Sequence, residues 1–402
     1  MTRRTALLAA LSGMLLLAGC GGAGGTSPGG PASTAASGGT AGGATGGAPK
    51  TSAAVLTVEP GNGTVDVAPQ GALKVAVAGG KLTKVDVTDQ AGSPVAGAIT
   101  PDGLGWAPAA GLAVGTAYRV SAEAADAHGL PTTATSAFTT LTPKRTVKAE
   151  DNVVTGETFG VGMIISVNFA GDVKNKEAAA KAVTVEASDG TVVKGHWFDD
   201  RRLDLRPESF WKPDTKVKVH FRTKSVELSP GVYGATDRDE EFTIGRSKIS
   251  EVDASAHQMV VKKAGQPDQQ IPITAGDNNN PSWNGTMVVS AMSRMERMRS
   301  EGVPGLVGAG YDTERPHALR LTNTGTYVHG NPLAGGAVGR ANISHGCIGL
   351  VDTAAGDPNS TAGRYYADSM VGDVVTVRGS VHKQALDPAN GLSGWNLDWA
   401  TW

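Results

Sequence analysis

Two histidines and one cysteine in the last third of the chain have the types and spacing to do chemistry. Cys347 lies in ANISHGCIGL, His345 stands two residues before it, and His329 precedes a glycine in TYVHGNP. A cysteine attacks a carbonyl as its thiolate, so it needs a base nearby and backbone N–H groups to hold the oxyanion that forms. Gly346 lets the chain turn tightly enough for successive amides to aim at one point. His329, placed after a strand-like run, suits a base projecting from a strand end. Two other readings compete: an open zinc site built from the same three side chains, and a buried cysteine acting only as a small hydrophobe.

Cysteine arithmetic narrows these readings. The chain has two cysteines, and the other, Cys20, closes an N-terminal segment with a basic start at Arg3-Arg4 and an apolar run from Ala6 to Leu17. That run is too short to span a bilayer and reads as an export signal. Its end, Leu17-Ala18-Gly19-Cys20, resembles the lipobox of bacterial lipoproteins, which implies lipidation at Cys20 and leaves Cys347 without a partner. Structural cysteines in oxidising compartments come in pairs, so an unpaired thiol in an exported protein invites a catalytic explanation.

The elements that must carry this site follow from composition and periodicity. A length of 402 residues allows two to four domains, and 36 basic against 38 acidic residues give no sign of a nucleic-acid binder. Residues 21–53 are rich in Gly, Ala, Ser and Thr, contain no aromatic residue and cannot bury a core. They read as a tether spanning roughly 30 Å as a coil. From 54 to 143, and again from 144 to 246, short runs such as LTVEP, TAYRVSAEAADAHG and DTKVKVHFRT alternate apolar and polar residues between Gly, Pro and Asp turns. This pattern predicts two tandem Ig-like β-sandwiches, with KNKEAAAKA as a helical exception. Neither sandwich carries a nucleophile, metal cluster or phosphate loop, so both read as spacers or docking modules.

Residues 247–380 change in texture. HQMVVKKA and QQIPITAG, joined by Gly265-Gln266-Pro267-Asp268, predict a hairpin, and RYYADSMVGDVVTVRG predicts a short helix followed by a strand. Between them lie glycine-dense loops, where binding and catalytic groups sit on β scaffolds. The extension 381–402 carries Trp395, Trp399 and Trp402, which are expected to pack back onto a folded domain.

His329-Gly330, followed at Ser344 by SHGC and an aliphatic residue, closely resembles the signature of the L,D-transpeptidase catalytic domain. Lipobox, tether, two Ig-like domains, catalytic domain and tryptophan-rich extension also resemble the plan of the multi-domain actinobacterial members. The resemblance implies a mainly β protein that forms 3→3 peptidoglycan cross-links through a cysteine acyl-enzyme, using donor and acceptor stem peptides, and no cofactor or metal. It implies that Cys347 is the nucleophile, His329 the base and Gly330 the residue that orients the base. His345, Gly346 and Cys347 would supply the oxyanion hole, with Ser344 supporting the loop. Tyr311 and Met298 would line the pocket from a flap, and Asn342 would bond to substrate or to backbone. It further implies covalent inhibition by carbapenems, and a lipid anchor that holds the enzyme on the outer face of the cytoplasmic membrane, facing the cell wall.

Two features depart from the family pattern. Ile348-Gly349-Leu350 has glycine where many members have arginine, which removes a cation able to hold a substrate carboxylate, and no second pocket tyrosine is evident near Arg299-Ser300-Glu301. An L,D-carboxypeptidase would use the same residues, and a non-catalytic wall-binding lipoprotein would leave the thiol inert.

Overall fold

The computed structural model describes residues 51–402 apart from Gly302, Pro304 and Ala309. The export segment, Cys20 and all but the last three residues of the tether lie outside the described residues.

The described residues are mainly β, with two β-sandwiches preceding a third domain that has few helices. In the first sandwich, one sheet of Val55–Glu59, Lys74–Ala78, Gly105–Pro108 and Gly97–Ile99 faces a second of Thr64–Val67, Pro131–Thr140, Ala117–Asp126 and Gly80–Asp89. Alternation is the cause: along Ala117–Asp126 every second residue is buried, which is what a period-two pattern does when one face meets a core. Tyr118 and Phe138 stack at 5.6 Å within that core.

The second sandwich pairs Ile165–Phe169 with Arg202–Pro207 in one sheet and Lys216–Arg222 with Asp237–Ile244 in the other. The helix expected at 174–182 occupies Lys176–Lys181, capped by the Asn175 side chain. This sandwich does not close on itself. Its core is continuous with Val288, Val374 and Leu392, which come from beyond residue 247. Three buried aliphatic side chains at roughly 1.5–3 kcal/mol each amount to a large part of a domain's net stability, so this contact joins the two bodies firmly. Arg246 adds a paired hydrogen bond to the buried Asp373 carboxylate at 2.7 and 3.0 Å.

The tryptophan-rich tail completes the seam. Trp395 Nε1 donates to the Gly162 carbonyl at 2.8 Å and Trp402 Nε1 to Lys194 at 2.9 Å. Arg206, buried in the second sandwich, lies over Trp395 at 4.7 Å, Trp399 at 5.5 Å and Trp402 at 4.2 Å. Its charge is thus taken from water but met by three π faces.

The third domain is two packed sheets. The first contains β1 (Lys248–Asp253), β2 (Gln258–Lys263), β3 (Gln269–Pro272), β4 (Gly285–Val288) and β9 (Val374–Arg378) in the order β3-β2-β1-β9-β4. The predicted hairpin is the antiparallel pair β2–β3. The second sheet, β5 (Ala291–Arg299), β6 (Asp312–Arg320), β7 (Tyr327–Gly330) and β8 (Ile348–Leu350), runs in sequence order. Met259, Ile271, Met287, Leu319, Val328, Ile348 and Val375 fill the space between them. The helix Thr361–Ala367, capped by Ser360, buries Ala362 and Tyr365 into the same core.

Candidate active site

β7 and β8 are neighbouring parallel strands with Val328 opposite Ile348, His329 opposite Gly349 and Gly330 opposite Leu350. His329 therefore leaves the sheet one strand away from the residues that follow Cys347. Cys347 and His329 both open onto one cavity of about 190 Å³, shared with Met298, Tyr311, Thr313, Arg315 and His345 among others.

The loop before β8 is held from below. Asn342 Oδ1 accepts the Ala275 amide at 2.8 Å and the His257 ring N–H at 3.0 Å, while Nδ2 donates to the Ala254 carbonyl at 2.8 Å. The Ser344 amide donates to the Ala275 carbonyl at 3.0 Å. Ser344 Oγ donates to the Cys347 carbonyl at 2.6 Å and receives the Gly346 amide at 3.3 Å, closing the turn on itself. Gly346 has φ +109°, a conformation that side chains resist, so glycine is required where the turn brings the thiol round to the cavity.

The roof is the β5–β6 hairpin. Tyr311, Thr313 and Arg315 are spaced by two and all line the cavity, as residues on one face of an extended segment must. Asp312, on the opposite face, is bonded to Arg297. Tyr311 also stands 5.2 Å, ring to ring, from His345. Met298, Tyr327, Ala318 and Cys347 form a small apolar cluster with Tyr311 packed against it.

Burial sets the electrostatics. It pushes the Cys347 thiol up to about 11, against smaller opposing effects from a hydrogen bond to the Tyr327 backbone and from the Arg315 charge. It pulls His329 down to about 4, opposed by the Gly330 hydrogen bond and reinforced by Arg315. Both groups are thus neutral near pH 7. The Cys347 thiol donates to the Gly325 carbonyl at 3.6 Å. His329 Nδ1 lies 2.7 Å from the Gly330 carbonyl; a carbonyl can only accept, so Nδ1 carries the proton and Nε2 keeps its lone pair. A neutral thiol and a neutral imidazole with one free lone pair can perform general-base-assisted nucleophilic attack. Among the described residues no three His, Cys, Asp or Glu side chains converge as metal ligands.

Residues 247–395 match the L,D-transpeptidase catalytic domain family, and residues 64–227 match a bacterial Ig domain. L,D-transpeptidase 2 of Mycobacterium tuberculosis is 30% identical over 349 residues, covering 86% of this chain and 83% of that one. The chain belongs to the L,D-transpeptidases. L,D-transpeptidase 5 of the same organism is 29% identical to it over 356 residues, 86% of this chain and 76% of the other. Among solved structures, the imipenem complex of the transpeptidase LdtMt1 aligns with TM-score 0.48 and 25% identity over 57% of this chain and 97% of that one. An L,D-transpeptidase from Mycobacterium smegmatis aligns with TM-score 0.45 and 25% identity over 58% and 99%.

Of the residues singled out in the sequence, this transpeptidase brings Cys347, His329, His345, Ser344, Tyr311 and Met298 to one cavity. Gly330 touches the site through its carbonyl, and Gly346 through the turn. Of the two roles expected for Asn342, the structure shows the bond to backbone: its side chain holds the Ala275 amide, the Ala254 carbonyl and the His257 ring, and so braces the thiol loop. Tyr311 is the tyrosine that lines the cavity, while Tyr327, on β7, packs beside the thiol in the apolar cluster. Sequence reasoning missed Thr313 and Arg315, although the two-residue spacing from Tyr311 was a usable sign. Gly349 is buried between strands: a Cβ there would stand 2.8 Å from Thr274 Cγ2 and 3.1 Å from Asn331 Cβ.

Proposed function

We propose that this transpeptidase forms 3→3 peptidoglycan cross-links through a thioester on Cys347. Sγ attacks the carbonyl of the third residue of a donor stem tetrapeptide while His329 Nε2 takes the thiol proton. The oxyanion is held by amides of the His345–Cys347 turn, although the Gly346 amide is partly engaged with Ser344 Oγ. Collapse expels D-alanine, whose amine takes the proton back from His329. The side-chain amine of a second stem then attacks the thioester, His329 removes its extra proton, and the thiol is restored as the new amide forms.

The observation that carries this reading is the commitment of His329 Nδ1–H to the Gly330 carbonyl, on a ring that shares its cavity with the only thiol among the described residues. Because burial keeps both partners neutral, proton transfer accompanies attack instead of preceding it. Lipidation at Cys20 and the tether would hold the enzyme outside the membrane, within reach of its polymeric substrate. The deciding experiment is mass spectrometry of purified disaccharide-tetrapeptides after incubation with the protein. Cross-linked dimers are expected; tripeptides alone would assign hydrolysis, and unchanged muropeptides would remove the reading.

A further inference from the structure

We propose that Arg315 is the receptor for the terminal carboxylate of the donor peptide, supplied from the roof strand because the strand that follows the thiol has no room for a cation. Arg315 lies on β6, half-buried, on the same face as Tyr311 and Thr313, and lines the cavity that holds Cys347 and His329. Its hydrogen-bond partners are neutral: Nη1 donates to Thr313 Oγ1 at 2.7 Å and to the Glu314 carbonyl at 3.2 Å. No carboxylate comes within ion-pair distance of it among the described residues, whereas Arg297 and Arg299 on the neighbouring strand share Asp312.

A guanidinium has five N–H donors in a planar fork, and a carboxylate is the anion that fits such a fork in pairs. With Nη1 occupied by neutral oxygens, Nε and Nη2 remain for that contact. Burial already weakens the guanidinium's hold on its proton, and the Cys347 side acts in the opposite sense, so a partly desolvated cation here gains from an incoming anion. Gly349 cannot take the task, because even a Cβ meets Thr274 and Asn331.

The identity of the peptide rests on the transpeptidation reading; the placement of the charge beside the thiol does not, and the test separates them. The variants are Arg315→Met, which keeps the bulk, and Arg315→Lys, which keeps the charge. The first readout is the alkylation rate of Cys347 by anionic iodoacetate relative to neutral iodoacetamide, followed by intact mass. The second is KM and kcat for a donor tetrapeptide with a free C-terminal carboxylate and for the same peptide as its C-terminal amide. We expect Arg315→Met to lower the iodoacetate preference on the order of tenfold and to raise KM for the free acid by a similar factor relative to KM for the amide. Arg315→Lys should recover part of both. An unchanged acid-to-amide ratio in Arg315→Met overturns the proposal. If no form of the protein transfers peptide, the reaction assignment fails, and the alkylation ratio alone decides whether Arg315 receives anions at the thiol. Should Arg315→Met lose its folded circular dichroism, Arg315→Gln carries the same readouts.

Discussion

His329 stands directly opposite Gly349 in the parallel ladder of β7 and β8. The imidazole and the strand that follows the thiol are thus fixed by backbone register. Gly349→Val would press a branched side chain on Thr274 and Asn331 and disturb that register. Overpacking of this kind costs about 1–3 kcal/mol. The expected result is a lower melting temperature together with reduced cross-linking, measured by thermal denaturation and by dimer formation.

Cys347→Ala should abolish cross-linking and leave the fold intact, since a small buried residue replaces another. His329→Ala should lower the rate by about 10²- to 10⁴-fold. A carbapenem should add one drug equivalent to the intact mass of the wild type and none to Cys347→Ala. A mass shift that survives in Cys347→Ala would place the acylated group elsewhere.

The buried pair predicts a two-sided pH profile for stability. His329 is depressed from 6.5 to about 4 in the folded state. Between those values the unfolded chain binds more protons, so its contribution is present above 6.5 and is lost as pH falls towards 4. Cys347 is raised from 9.0 to about 11, and the sign reverses: its contribution is present below 9 and is lost as pH rises towards 11. Denaturant midpoints should fall in both windows. His329→Gln should flatten the acid limb and Cys347→Ser the alkaline one.

Asn342→Ala should act through stability. It strands the Ala275 amide and the Ala254 carbonyl, at about 1–3 kcal/mol for each buried group left unpaired. Thermal denaturation should show the loss. The residual activity of the folded fraction should keep the wild-type KM, as a residue that does not touch substrate requires.

Removing residues 51–143 should leave the rest folded, because the first sandwich has its own core. A chain beginning at Lys248 should be markedly less stable, since it exposes Val288, Val374 and the tail that docks on Arg206. Calorimetry on the two truncated chains is the comparison to make.

Much of this was legible in the sequence because local patterns carried it. Alternation gave the strands, the Gly265–Asp268 turn gave the β2–β3 hairpin, and SHGC with His329 gave the thiol and the imidazole that share one cavity. What escaped depends on strand pairing between distant segments. Arg315 is one of many exposed-looking arginines until β6 is laid over the thiol loop. Asn342 looks like any polar loop residue until residues 254, 257 and 275 arrive beneath it. The tail's destination was equally hidden, because tryptophans report the need for a partner without naming Arg206.

The position of β9 has a consequence for how the molecule is made. This strand lies between β1 and β4, pairing in parallel with residues more than a hundred positions earlier. The first sheet therefore cannot be completed until residues 374–378 are available, and closing so long a loop is slow. During synthesis β4 has no strand partner until β9 emerges. If the chain is exported as proposed, that delay would leave this sheet incomplete while the chain crosses the membrane.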